Sequence, residues 1–324
     1  MSAAEAAPRP LIVVAAGVLR NTRGEVLLGQ RAPGKHLAGT WEFPGGKREY
    51  GETGHEALSR ELHEELGIDI GESTPLLSLT HDYPELSVRL MLREVRDWRG
   101  EPVGREGQAL RWVAPASLPG LDMPPADRPV VRVLPLDPRY AITPDPSHFD
   151  SIDAWLAHWQ GLLDQGFRLL QLRAHSLDAT ARVELARRCG ELARRAGARW
   201  MLNATPQEAL QAGADGVHLG SDLLADFRRP EAAPADWLVA ASCHSTGALA
   251  RAGAAGVDFV TLSPVRPTAT RPRAPSLGWE RFGELCTLSP VPVFALGGVG
   301  PDDLGQARSF GAFGVSGIGG FPAR

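Results

Sequence analysis

The sequence predicts an α+β domain followed by an α/β domain of the (β/α)8 barrel class. Three observations carry this. At 324 residues the chain is long for one domain, and two are the default expectation. Up to residue 134 strand-like runs surround one strong helix signal with no βαβ rhythm. After the proline-framed Pro135-Leu136-Asp137-Pro138, eight apolar β-rich runs appear with helical stretches among them, the order of a parallel barrel. The expected domains are 1–136 and 137–324.

In the first domain, Leu11–Leu19 and Glu25–Gln30 read as β-rich runs around Asn21-Thr22-Arg23-Gly24, a hairpin signal. Trp41-Glu42-Phe43 leads into Pro44-Gly45-Gly46, a loop whose backbone can approach a ligand closely. The next helix is well announced. Thr53 with Glu56 forms a capping box, Ala57, Leu58, Leu62 and Leu66 make an apolar stripe, and Gly67 is a C-terminal stop. Strands are expected at 76–83, 86–95 and 109–113, and a short helix at 126–134. In the second domain strands are expected near 139–143, 168–173, 198–203, 216–219, 238–242, 258–262, 292–296 and 313–317. Helices are expected near 151–166, 178–196, 205–213, 246–255, 278–286 and 301–310. Only seven residues follow Gly317, too few for a full closing helix, so an apolar strip of the barrel is expected to need cover.

Hydrophobic residues at 43% and charged residues at 22% describe an ordinary globular chain. A net charge of −4 gives no electrostatic case for nucleic acid or an anionic membrane as partner. Cys189, Cys243 and Cys286 lack any C-x-x-C spacing and read as buried thiols in a reducing compartment. The Ala/Pro-rich start has no basic leader, and Leu11–Leu19 is too short to span a bilayer, so cytoplasm is the expected location. Homo-oligomerisation is left open.

The chemistry concentrates on the first helix. Glu61, Glu64 and Glu65 stand at i, i+3 and i+4, placing three carboxylates on one face. Like charges so spaced repel unless a cation sits among them, and hard divalent ions prefer oxygen ligands. A merely solvated acidic face is the competing explanation. The pattern G-x5-E-x7-R-E-U-x-E-E-x-G-U, with U apolar, argues against it. It is matched at every fixed position by Gly46, Glu52, Arg60, Glu61, Leu62, Glu64, Glu65, Gly67 and Ile68. This stretch resembles the Nudix hydrolases, which implies an α+β Nudix sandwich. Further segments look like the MutT-type branch, which hydrolyses oxidised purine nucleoside triphosphates such as 8-oxo-dGTP. They are Trp41–Lys47, Trp98–Pro102, Gly104-Arg105-Glu106-Gly107-Gln108 and Pro124-Pro125-Ala126-Asp127.

That resemblance implies roles. Glu61, Glu64, Glu65, Glu106 and Gly46 would hold Mg²⁺, with Mn²⁺ as the alternative ion. Glu106 would be a further ligand or the general base, Arg60 would orient the glutamates, and Glu52 would support the loop. Arg31, Phe43 and Asp127 would surround the base. Asp127 departs from the branch's asparagine, and an ionised carboxylate only accepts hydrogen bonds. The implied reaction is hydrolysis of the nucleoside triphosphate to monophosphate and pyrophosphate.

The strand ends of the second domain carry Gln171-Leu172-Arg173, Asn203, His218, His244-Ser245, Thr268, Thr270, Gly297-Gly298 and Val315-Ser316-Gly317. Over residues 139–317 they resemble thiamine phosphate synthases and TenI-type relatives, a TIM-barrel family binding phosphorylated thiazole or pyrimidine ligands. On that resemblance Arg173, Asn203, His244, Thr268, Thr270, Gly298 and Ser316 are the barrel-site candidates. Departures accompany the match. His175 replaces a basic residue, Asn203-Ala204-Thr205 replaces Asn-Asp-Arg, Ser221 replaces a glutamine, and Asp222 is one place out of register. A degenerate synthase domain is therefore expected. Two alternatives stay open. One is a Nudix hydrolase of a thiamine-pathway or other diphosphate beside an active TenI-like tautomerase or synthase barrel. The other is a ligand-sensing or scaffold protein.

Overall fold

A computed structural model describes residues 9–268 and 275–319. The chain divides into two compact units, Met1–Leu134 and Pro135–Arg324.

The first unit runs β1 (Leu11–Leu19), β2 (Val26–Gln30), β3 (Trp41–Glu42), β4 (Gly45–Lys47) and α1 (Gly54–Leu66). It continues with β5 (Asp69–Ile70), β6 (Ser73–Asp82), β7 (Ser87–Val95), β8 (Trp98–Arg99), β9 (Leu110–Val113) and α2 (Arg128–Val133). Its main sheet has the order β4-β1-β7-β6, and β3-β2-β9 and β5-β8 form smaller sheets. Strand β1 is central, parallel to β7 from Leu11↔Ser87 to Leu19↔Val95 and antiparallel to β4 at Ala16↔Gly45. The expected hairpin needs correcting here. Asn21–Gly24 does turn the chain, with Gly24 N–H donating to Asn21 C=O at 2.9 Å and one Arg20↔Val26 bridge beyond it. Both edges of β1 are already taken by β4 and β7, so β2 pairs with β3 and β9 instead.

Helix α1 forms as its sequence dictates. Thr53 and Glu56 make the reciprocal capping box, and Gly67 ends the helix in the left-handed region at φ 70°. Ala57, Leu58, Leu62 and Leu66 are buried against Ala15, Leu19, Leu27, Ile68 and Val95. Each fully buried leucine contributes roughly 1.5–3 kcal/mol from water exclusion, which pins the helix and turns its carboxylate face away from the core.

In the second unit, eight parallel strands close a barrel in sequence order. They are β10 (Arg139–Ile142), β11 (Leu169–Leu172), β12 (Arg199–Leu202), β13 (Gly216–Leu219), β14 (Leu238–Cys243), β15 (Phe259–Leu262), β16 (Val293–Leu296) and β17 (Gly314–Ile318). Closure is made by β17 on β10, with Ser316 opposite Tyr140. The helices are α3 (Ile152–Asp164), α4 (Ala179–Arg195), α5 (Pro206–Ala212), α6 (Thr246–Ala254), α7 (Gly278–Leu288) and α8 (Leu304–Ser309). The β13–β14 connection carries no helix among the described residues. Tyr140, Phe259 and Phe294 pack edge-on inside the barrel with centroids 4.9–5.7 Å apart. All three cysteines are buried and free. No helix of the described residues is long and apolar enough to cross a membrane. Residues 320–324, part of the short tail expected after the last strand, lie outside the described residues.

Candidate active site

The carboxylate face of α1 meets the Gly45-Gly46 turn. Gly45 N–H donates to Glu65 Oε2 at 3.2 Å. Gly45 has φ 141°, and a Cβ there would collide with the backbone of Ala15 and Ala16. A Cβ on Gly46 would strike the Glu61 carboxylate, a side-chain end that can move, so backbone demands glycine at 45 while Glu61 packs against the bare Cα at 46. Arg60 ties the region together. Its guanidinium donates to Glu52 at 2.9 and 3.1 Å, to Glu61 Oε1 at 2.8 Å and to Lys47 C=O at 3.0 Å. It lies 3.7 Å from Glu64 Oε2, while Glu52 also accepts from Glu49 N–H at 2.8 Å.

Glu106 reaches the same site from a distant loop that is laced to the end of α1. Val103 N–H donates to Leu66 C=O at 3.0 Å, Arg105 N–H to Glu65 C=O at 2.9 Å, and Gln108 Nε2 to Glu65 C=O at 3.1 Å. The Gln108 side chain thus has a structural role, since Glu106 N–H in turn donates to its Oε1 at 2.9 Å. Burial pushes the Glu65 carboxyl up to about 7 against the Gly45 hydrogen bond, and Glu106 and Glu61 add repulsion. A half-buried carboxylate repelled by two others is favourably placed for a cation. The oxygen-only donor set and the glycine cradle over Glu61 fit a hard divalent ion. Among the described residues, no three His, Cys, Asp or Glu side chains are grouped ready to hold a metal as they stand. Glu61 is turned to Arg60, and Glu106 accepts from Lys35 Nζ at 2.6 Å.

Beside this face Arg31 pairs with Glu42 and donates through Nε to His36 C=O at 2.8 Å. Phe43 is buried. Asp127, at the start of α2, is 7% exposed and its side chain caps nothing. Burial pushes its carboxyl up to about 8, with repulsion from Glu42 outweighing attraction to Arg31. Glu42 and Lys35, to which the sequence assigns no role, act on these groups through their charges: Glu42 on Asp127 and Glu65, and Lys35 on Glu106.

Among the described residues, the barrel candidates lie at or beyond strand ends with one exception. Arg173 N–H donates to Thr143 Oγ1 at 3.0 Å, and Asn203 Nδ2 donates to His218 C=O at 2.8 Å. His244 Nδ1 lies 2.8 Å from Ser263 C=O. Thr268 follows β15, and Thr270 lies outside the described residues. Gly298, at φ 65°, packs where a Cβ would meet Arg266 and Pro267. Ser316 is the exception. It sits within β17, fully buried, and its hydroxyl donates to Tyr140 C=O at 2.9 Å, so that side chain is engaged in barrel closure. His218 is likewise buried between Tyr140 Oη and Ser242 Oγ at 3.1 and 2.9 Å, and burial pushes it down to about 3.

Comparison with known proteins agrees with this two-part architecture. The NUDIX domain profile matches residues 15–133, and the thiamine monophosphate synthase profile matches residues 139–321, more than half of the chain. The first unit is a Nudix hydrolase, and the second belongs to the thiamine monophosphate synthase family. The chain is 40% identical over 121 residues to the 8-oxo-dGTP diphosphatase of Escherichia coli, covering 37% of this chain and 94% of that protein. It is 38% identical over 162 residues to a putative thiamine-phosphate synthase of Geobacter sulfurreducens, covering 50% of this chain and 76% of that protein. A solved structure described as MutT from Aliivibrio salmonicida and Vibrio cholerae is 40% identical, covers 38% of this chain and 94% of its own, and superposes with a TM-score of 0.33. The Nudix unit acts on phosphoric anhydrides, and Nudix hydrolases generally use divalent metal ions.

Proposed function

We propose that the Nudix unit is a Mg²⁺-dependent hydrolase of oxidised purine nucleoside triphosphates, releasing monophosphate and pyrophosphate. The observation that supports this is the Glu65 carboxyl under the repulsion of Glu61 and Glu106, beside a glycine turn and an arginine that holds Glu61. Glu61, Glu64, Glu65 and Glu106 would hold the metal together with the Gly46 backbone. When bound, the ion neutralises anhydride charge and acidifies water. Arg60 holds Glu61 and Glu52 holds Arg60, so Glu61 is kept beside the glycine turn, from which it would swing to a bound ion. Glu65, half-buried and pushed up to about 7, or Glu106, on its anchored loop, takes the proton from the attacking water. Asp127, held protonated by burial, donates to the base's carbonyl edge, where an ionised carboxylate would be repelled.

A Mg²⁺-dependent panel comparing 8-oxo-dGTP, oxidised adenine nucleotides, dGTP and thiamine-pathway diphosphates tests the reading. Preference for 8-oxo-dGTP is expected. Turnover confined to a pyrimidine or thiazole diphosphate would replace the substrate class while leaving the hydrolase intact.

For the barrel we propose a degenerate synthase. Where the family pattern has an aspartate and an arginine, Ala204 and Thr205 stand, and Thr205 is the N-cap of α5 in a capping box with Glu208. Glu208 is in turn paired with Arg182 at 2.5 Å. Helix capping has replaced groups that would stabilise a departing pyrophosphate. No thiamine phosphate is expected from a pyrimidine pyrophosphate and thiazole phosphate, and formation at a rate matching hydrolysis would refute this. A tautomerase reading is favoured by His244. Its Nδ1 proton goes to the Ser263 carbonyl, leaving Nε2 as an exposed acceptor. Loss of thiazole phosphate isomerisation in His244→Ala would support it, and its absence in the parent protein would exclude it.

A further inference from the structure

The loop that runs from Arg31, already placed beside the base, to Thr40 is a built feature whose interior has no part in the function so far. Its base is closed by Arg31 N–H to Thr40 C=O and Gly39 N–H to Arg31 C=O, both 2.9 Å. Inside, Ala38 N–H donates to Lys35 C=O at 3.1 Å, and Arg31 Nε holds the His36 carbonyl at 2.8 Å. Leu37 takes φ 59°, a left-handed conformation that no other non-glycine residue adopts among the described residues. A loop so constrained presents Lys35 in one place. Its ammonium sits 2.6 Å from Glu106 Oε2, across 71 residues of sequence, with the charges of Glu65 and Glu42 also acting on it.

We propose that Lys35 is a resident counter-ion of the carboxylate site, occupying Glu106 in the metal-free protein and giving it up when a divalent cation enters. This rests on the reading of Glu61, Glu64, Glu65 and Glu106 as metal ligands. The Coulomb argument is direct. Three or four carboxylates around one site repel each other, and one ammonium on Glu106 lowers that cost until a doubly charged ion replaces it. Both side chains are about half exposed, 50% and 48%, so the pair is weak enough to open. Lys35 is therefore a positioning residue. It keeps Glu106 over the end of α1 before the metal arrives, and it competes with the metal for the same carboxylate.

Titration of the nucleotide-free full chain with Mn²⁺, read by the electron paramagnetic resonance of free ion, tests this without turnover. Lys35→Met should bind Mn²⁺ about two- to five-fold tighter than wild type, the factor an exposed ion pair of up to about 1 kcal/mol converts to. Lys35→Arg, which keeps the charge, should bind like wild type. In a Glu106→Gln background, Lys35→Met should bring no further gain. Equal or weaker Mn²⁺ binding by Lys35→Met, or the same gain without Glu106, would overturn the proposal while the metal reading stands. If wild type shows no Mn²⁺ site that Glu65→Gln weakens, the metal reading falls, and the proposal with it.

Discussion

Asp127 shows how one atom changes what a pocket can say to its ligand. Its carboxyl is pushed from the ordinary 3.8 to about 8 by burial and by Glu42. A raised carboxylate favours folding in full below pH about 4 and loses that contribution as pH climbs to about 8, because only the unfolded chain ionises freely in between. Asp127→Asn should therefore match wild type in stability near pH 4 and exceed it at pH 8–9, as thermal melts at both pH values would show. The same titration should weaken 8-oxo-dGTP hydrolysis in wild type as pH rises through about 8, and Asp127→Asn should lose that dependence. Identical pH–rate profiles for both would mean that Asp127 does not read the base. Position 127 was legible because a four-residue segment flanks it, but its protonation was not, since that depends on Glu42 and Arg31 far away in sequence. Lys35 left no trace at all: a lone lysine in a Gly-Pro loop carries no pattern, and its partner is fixed only by tertiary folding. Glu42 sat in plain view within Trp41-Glu42-Phe43, yet nothing local says that it pairs with Arg31.

Helix α1 was the most legible part, because every device that makes it is local. The capping box, the apolar stripe and the Gly67 stop act over three or four residues, and each is present. Its function works against its stability. Replacing Glu65 by Gln should leave metal-free stability unchanged or raised by a few tenths of a kcal/mol, as for the relieved i,i+4 repulsion with Glu61, whereas Glu64→Gln also gives up its contact with Arg60 and should be near neutral. Hydrolysis should fall about 100-fold or more if the residue holds metal or takes a proton. Near-normal turnover in both variants would show the site to lie elsewhere. The turn ahead of the helix separates two kinds of glycine. Gly46→Ala should displace the Glu61 carboxylate, a movable side chain, and lower activity with little loss of stability. Gly45→Ala meets backbone at a positive φ, and about 1–3 kcal/mol of destabilisation is expected from such strain. Equal denaturation midpoints for the two variants would contradict this. The hairpin misread at Asn21–Gly24 has the opposite cause. The turn was local and correct, but which sheet β2 joins was decided by β4 and β7, and no short-range signal reports that.

The division of the whole chain was visible as a change of rhythm, from strands around one helix to a strand-helix alternation, and the closed barrel β10–β17 follows from it. What the alternation could not show is which strand-end residues remain free for chemistry. The Ser316 hydroxyl, for example, is spent on Tyr140 C=O across the barrel closure, and Thr205, already a departure from the family pattern, caps a helix. The hydrolytic site is different in this respect. Every residue proposed for it, from Arg31 to Asp127, lies within the first unit, and the cluster of Ala15, Leu27, Leu58 and Val95 that fixes α1 is formed there as well. Hydrolysis should then not require the barrel. A fragment ending at Leu136, shown to be folded by circular dichroism, should retain kcat and KM for its triphosphate within about two-fold of the full chain, well under the ~1.4 kcal/mol that a ten-fold change represents. A folded fragment whose kcat/KM drops ten-fold or more would mean that the barrel contributes to the site, and the residues assigned between 31 and 127 would be an incomplete set.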